Sequence, residues 1–289
     1  MKVQWKTSRV ISQVSRSIQD AGIILPEDVR KLLKKEAEQA KHTPSPGSQV
    51  LQAVMETVSE AEKQSLPICQ DTGTAVIFAD IGTEGEAEDN IEQSITEAVR
   101  LAYREGKFRP SMVSDPVFER RNTGNNLPPV IHCRFVPGRN LRISGLLKGF
   151  GSENCSSLTM LNPTDGEEGV LQAVLDSMQA AGGKPCPPVF IGVGVGGTAE
   201  QAGILAKRAL LREAGSPHQE RAYALLEKRI LQSVNNLDIG PGGLGGKPTA
   251  LAVSIEHAPT HIAGMPVAVN ISCWADRKFF TEIAPHVSE

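Results

Sequence analysis

From Pro67 onward the apolar runs of this chain are short and punctuated by glycine and proline, of which it has 27 and 19. Val189-Phe190-Ile191 meets Gly192 at once, and Ala75-Val76-Ile77-Phe78-Ala79 gives out at Asp80-Ile81-Gly82. Glycine is entropically costly inside helices and strands, and proline removes a backbone donor. Such a sequence builds short strands and helices joined by tight turns. No apolar stretch reaches the about 18 residues that a membrane-spanning helix needs.

Before Pro67 the texture is helical. Val10, Ile11, Val14 and Ile18 share one face of a helix that stops at Ala21-Gly22. Pro26-Glu27-Asp28 opens a second, with Val29, Leu32 and Leu33 on one side, and beyond the breaker cluster 42–47 the residues Val50, Leu51, Val54, Met55 and Val58 predict a third. Farther on, strands are predicted over 75–79, 130–135, 141–146, 189–195, 250–255 and 266–272. Helices are predicted from Ile91 to Gly106, over 169–181, and as a polar pair within 199–231. Strands and helices mix without strict βαβ alternation, so the expected class is α+β (mixed α/β). A helical N-terminal layer of about 65 residues then leads into one domain spanning 1–289.

Lys and Arg total 30 against 33 Asp and Glu, a net charge of −3, and no run of five like charges occurs. This disfavours a nucleic-acid or anionic-membrane footprint. The N-terminus Met1-Lys2-Val3-Gln4-Trp5-Lys6 lacks the apolar core of a secretory signal, so a cytoplasmic protein is expected. Five cysteines suit neither a disulfide scaffold nor a fully paired secreted chain, and none forms a C-x-x-C pair. Any metal site must therefore be assembled by the fold.

Three glycine-rich segments could turn backbone amides toward an anion: 148–154, 192–198 and 240–247. The second contains Gly192-x-Gly194-x-x-Gly197, with Glu213 as the acid that a dinucleotide fingerprint asks for, yet no βαβ unit surrounds it; a tight strand-to-helix turn is the simpler reading. Gly245-Gly246-Lys247 is followed by Pro248 rather than Ser or Thr, which rejects a P-loop. Cys69, Cys186 and Cys273 sit at loop or strand-end positions, where a preorganised ligand would be placed. The prolines around Cys186 predict an extended, stiff backbone there. Cys133 alternates within a strand and Cys155 lies in a polar loop. Buried small hydrophobes remain the alternative for all of them.

Five segments occur in a telling order. They are Cys69-Gln70-Asp71-Thr72-Gly73-Thr74; Arg109-Pro110-Ser111-Met112-Val113 with Asn122-Thr123-Gly124; Lys148-Gly149-Phe150-Gly151-Ser152-Glu153-Asn154; Cys186-Pro187-Pro188 with 192–197; and Val269-Asn270-Ile271-Ser272-Cys273. Together they closely resemble the α subunit of two-subunit class I fumarate hydratases, iron–sulfur hydro-lyases that also include L-tartrate dehydratase. The likeness runs from about residue 8 to 280.

The resemblance implies a [4Fe–4S] cluster on Cys69, Cys186 and Cys273, with one iron lacking a thiolate and open to act as a Lewis acid. Cys133 and Cys155 have no counterpart in that ligand set. It further implies that Arg109 binds a substrate carboxylate, that Gln70 and the backbone at Gly149 contact substrate, that His261 lies near the site, and that Asp71 performs acid–base work. Two departures are present. Phe150 stands where the family usually has glycine, and Trp274 stands where many relatives carry His. The single-chain enzymes carry a second domain with further substrate-binding residues, for which this sequence has no room. A separate β subunit, in an α2β2 assembly, is therefore expected. The expected activity is reversible hydration of fumarate to L-malate, with L-tartrate dehydration or a non-catalytic cluster-binding role as alternatives.

Overall fold

The computed structural model describes residues 3–287. Its elements in chain order are β1 (Val3–Trp5), α1 (Thr7–Ile23), α2 (Glu27–Ala40), α3 (Pro46–Gln64), β2 (Thr74–Gly82), β3 (Glu86–Ala87), α4 (Ile91–Glu105), β4 (Val130–Val136), β5 (Leu141–Lys148), α5 (Phe150–Glu153), β6 (Ser157–Leu161), α6 (Gly166–Ala181), β7 (Val189–Gly196), α7 (Ala199–Leu210), α8 (Arg221–Asn235), β8 (Ala250–Ala258), β9 (Met265–Ser272), β10 (Lys278–Ile283) and β11 (His286–Val287). The chain adopts the mixed α+β class, and its opening helices α1 to α3 stand where the sequence predicts them. It divides into two compact units: one of residues up to 26, 58–148 and from 277 on, the other of 27–57 and 149–276.

The first unit is built on a sheet of order β10-β5-β2-β4, with β2 antiparallel to β5 and parallel to β4. Strand periodicity sends Ala75, Ile77 and Ala79 to one face, where Val14 and Ile18 of α1 and Ile95, Ala98 and Ala102 of α4 bury them. The Asn90 side chain caps α4 by accepting from the Gln93 amide. Gly22 ends the buried face of α1 because nothing larger fits; a Cβ there would lie 2.2 Å from the Phe108 ring.

The second unit is built on a sheet of order β6-β9-β7-β8, with β7 parallel to β8 and antiparallel to β9. The two faces of β7 are chemically unlike. Ile191 and Val193 pack with Val174 and Met178 of α6 and with Ile230 and Val234 of α8. Gly192 and Gly194 face α7, where added Cβ atoms would lie 2.1 Å from the Ala206 carbonyl oxygen and 2.0 Å from that of Ala202. These glycines let a helix backbone press onto a strand, and the route onward is strand–helix–helix–strand through α7, α8 and β8. Glu213 lies in the turn after α7, at no strand end. Gly192 and Gly194 thus serve close helix–strand packing, and, contrary to the sequence expectation, the parallel pair β7–β8 with α7 and α8 between them is a crossover unit around this motif. Among the described residues no helix is long and apolar enough to cross a membrane.

Candidate active site

Four of the residues singled out above fall in the first unit (Cys69, Gln70, Asp71, Arg109) and four in the second (Gly149, Cys186, His261, Cys273).

In the first unit, Cys69, Gln70 and Asp71 occupy the loop that enters β2. Cys69 and Asp71 are half-buried and Gln70 is exposed. The loop is fixed through its backbone. The Ile68 amide donates to the Gly22 carbonyl at 2.9 Å, and Arg277, only 2% exposed, donates from Nη2 to the Asp71 carbonyl at 2.8 Å. Gly73 takes φ +84°, where glycine carries no Cβ penalty. Its carbonyl accepts from the Tyr103 hydroxyl at 2.6 Å and from Asn126 Nδ2 at 2.9 Å. Burial pushes the Tyr103 phenol up to about 12, so it is a donor at any physiological pH.

Asn126 joins the second candidate segment to the first. Its Oδ1 accepts from the amides of Ser111 (2.6 Å) and Met112 (3.0 Å), while its Nδ2 holds Gly73. The loop carrying the exposed Arg109 is thereby tied to the strand mouth carrying Asp71. Asn122 tightens the same loop, donating to the Pro110 carbonyl and accepting from the Gly124 amide. The sequence reading assigned no role to Tyr103, Asn126 or Arg277, because nothing local in the sequence marks a side chain that will reach a distant carbonyl group. Each acts on the backbone of a motif rather than belonging to one.

In the second unit, Cys186 is exposed and has φ +54°. The extended backbone expected from its prolines is not what forms. The chain turns back between α6 and β7, with the Cys186 amide donating to the Gly183 carbonyl at 3.2 Å, and a non-glycine residue is driven into the left-handed region. Two more backbone bonds brace the turn: the Gly242 amide to the Pro187 carbonyl at 2.8 Å, and the Trp274 amide to the Cys186 carbonyl at 3.4 Å. The latter brings the segment after Cys273, at the end of β9, directly against Cys186. The third glycine-rich segment therefore supports a cysteine turn.

Gly149 is the N-cap of the four-residue α5, and its carbonyl accepts from the Glu153 amide and the Ser152 hydroxyl. Glu153 of the same motif pairs with Lys207 of α7 at 2.6 Å and accepts from Asn270 Nδ2 of β9 at 3.0 Å. Phe150, the departure from glycine, is half exposed. His261 is exposed in the β8–β9 turn, where its Nδ1 accepts from the Ala263 amide at 3.2 Å. Cys133 is exposed on the edge strand β4, and Cys155 packs against the core of the second unit.

The family described as "Fumarate hydratase (Fumerase)" matches residues 11–282. A protein of Methanocaldococcus jannaschii named "Putative L(+)-tartrate dehydratase subunit alpha" is 42% identical over 289 residues, covering 96% of this chain and 98% of its own length. The Escherichia coli protein named "L(+)-tartrate dehydratase subunit alpha" is 33% identical in strain UTI89 and 32% in strain K12, each over 88% of this chain and 84% of the relative. A match of this length, through every motif described above, settles the lineage: the chain belongs to the class I fumarate hydratase family, among relatives of the α-subunit type.

Proposed function

We propose that this chain is the α subunit of an iron–sulfur hydro-lyase acting on a four-carbon 2-hydroxydicarboxylate. One observation carries the reading: the family match over 11–282 takes in Cys69, Cys186 and Cys273 together with Asp71 and Arg109. The donor set supports it. Three thiols on loops or strand ends suit a [4Fe–4S] cluster with one iron free of protein thiolate, and the braced turn at Cys186 preorganises one of them. Held by Cys69, Cys186 and Cys273, such a cluster supplies Lewis acidity toward the substrate's hydroxyl and carboxylate oxygens.

The chain's own residues supply the rest. Arg109 offers a planar guanidinium fork to one substrate carboxylate. Gln70 and the backbone at Gly149 add hydrogen bonds that orient the dianion, and His261 borders it. In dehydration the C3–H bond breaks toward the Asp71 carboxylate and its electron pair becomes the C2–C3 double bond. The C2 hydroxyl takes a proton from solvent and leaves as water, and Asp71 then returns its own proton to solvent, which restores the carboxylate. L-malate treated this way gives fumarate, and L-tartrate gives the enol of oxaloacetate. The Arg109 motif and the 148–154 loop favour the first substrate. The relatives' names favour the second.

The test is anaerobic reconstitution followed by iron and sulfide analysis and by assay with L-malate and L-tartrate in the presence of a β-type partner. Ala substitutions at Cys69, Cys186 or Cys273 are expected to lose the cluster, whereas Cys133→Ala and Cys155→Ala keep it. A cluster that survives Cys186→Ala would sink the ligand assignment. No turnover of either acid by the partnered, cluster-loaded protein would sink the activity.

A further inference from the structure

Away from these residues, three side chains of the second unit converge. His218 lies in the turn after α7, Glu220 is the N-cap of α8, and His257 is on β8. One ligand atom from each, two imidazole nitrogens and a carboxylate oxygen, lies within 4.8 Å of the others. His257 Nε2 and Glu220 Oε1 are 2.8 Å apart.

The convergence is built from beneath. Glu227 of α8, 5% exposed, accepts from the His218 amide at 2.9 Å and from the Ile255 amide at 2.8 Å, and pairs with Arg212 at 2.6 Å. One buried carboxylate thus pins the backbone of the turn that carries His218 and the strand two residues ahead of His257. Arg212 extends the clamp to the carbonyls of Ile255 and Ser216. Tyr223, one turn into α8, stacks on the His257 ring at 4.2 Å and 9° and lies 5.1 Å from the His218 ring. The two histidine rings, 5.7 Å apart, share Tyr223 as a neighbour.

We infer that His218, Glu220 and His257 form a binding site for a divalent first-row transition metal, zinc above all. Two imidazoles and one carboxylate are the ligands of zinc, nickel or copper; magnesium and calcium require oxygen donors. Metal–ligand bonds of about 2.0–2.1 Å set tetrahedral ligand atoms roughly 3.3 Å apart, so the His257–Glu220 pair at 2.8 Å opens slightly to admit the ion, which the χ angles of half-buried and exposed side chains allow. The Glu220 amide donates to His218 Nδ1 at 2.9 Å, so that nitrogen already presents its lone pair on the inner side of the turn. His218 therefore ligates through Nδ1, releasing the amide to water, while His257 ligates through Nε2 beside Glu220. Buried Glu227 and stacked Tyr223 fill the outer-shell role that fixes ligand orientation. The bound ion would link the α7–α8 turn to β8, and this inference stands apart from the hydro-lyase reading.

The experiment titrates zinc alone into the full, cluster-loaded chain by calorimetry and records zinc-edge X-ray absorption, which iron does not obscure. The expected result is one zinc per chain with nitrogen and oxygen neighbours only. Zinc should also raise the thermal midpoint, and His257→Gln or Glu220→Gln should each weaken binding at least tenfold without changing the zinc-free midpoint. Glu220 is exposed, so its variant serves even where the histidine variant misfolds. Sulfur neighbours at the bound zinc, no binding, or unchanged binding in both variants would overturn the assignment.

Discussion

The Gly73 carbonyl shows how single side chains fix this site. Two buried donors, Tyr103 and Asn126, meet on it. Tyr103→Phe removes one and leaves the other, which should cost about 1 kcal/mol near neutral pH, measured by urea unfolding. The cost should depend on pH in a defined direction. Burial raises the phenol to about 12 in the folded chain against an ordinary value of 10.0, so the unfolded state ionises first. The stability that the neutral phenol contributes is complete below pH 10 and is lost as pH rises toward 12, on the order of 2 kcal/mol in all. The wild type should therefore lose its advantage over Tyr103→Phe as pH rises above 10 and be the less stable of the two near pH 12. Parallel curves would contradict the assignment. Little of this was legible beforehand. Cys69 to Thr74 announce themselves as a motif, whereas Tyr103, Asn126 and Arg277 reach carbonyl groups of residues far away in sequence, and a carbonyl carries no residue type to recognise.

Elements were legible to the extent that their patterns are local. Val10, Val14 and Ile18 predict α1, and the alternation Ala75, Ile77, Ala79 predicts β2, because burial on one face selects the residues. β6 and β10 escaped notice. Both are edge strands, each held by a single neighbour, and the neighbour of β10 is β5, far earlier in the chain. The pair β7–α7 is the sharpest case, since its glycines look like a nucleotide loop and act as packing surface. Gly194→Ala would force a methyl to 2.0 Å from the Ala202 oxygen. It should destabilise by about 3 kcal/mol or prevent folding. Gly203→Ala, on α7 itself with nothing within 4 Å, should instead stabilise by roughly 0.5–1 kcal/mol through helix propensity. Denaturant midpoints of the two variants read both effects directly, and equal effects would mean that the close approach of helix and strand is not what these glycines serve.

For the whole molecule, the relatives are named as α subunits, and the hydro-lyase reading makes a partner chain a condition of turnover. The cluster-loaded chain assayed alone should show negligible dehydration of L-malate and of L-tartrate. Adding the β-type subunit should restore it, and steady-state turnover by the lone chain would refute the shared-site view. The polypeptide passes from one unit to the other at residues 26/27, 57/58, 148/149 and 276/277. Neither unit is a continuous stretch of sequence, and this gives synthesis on the ribosome a fixed order. By the time residue 276 has been added, every strand of the second sheet exists, yet the first sheet still lacks β10. Phe279 and Ile283 have yet to enter its core, and Arg277 has yet to grip Asp71. The first unit is thus completed after the second sheet, and the loop bearing Cys69 gains its final brace only once Arg277 has been made.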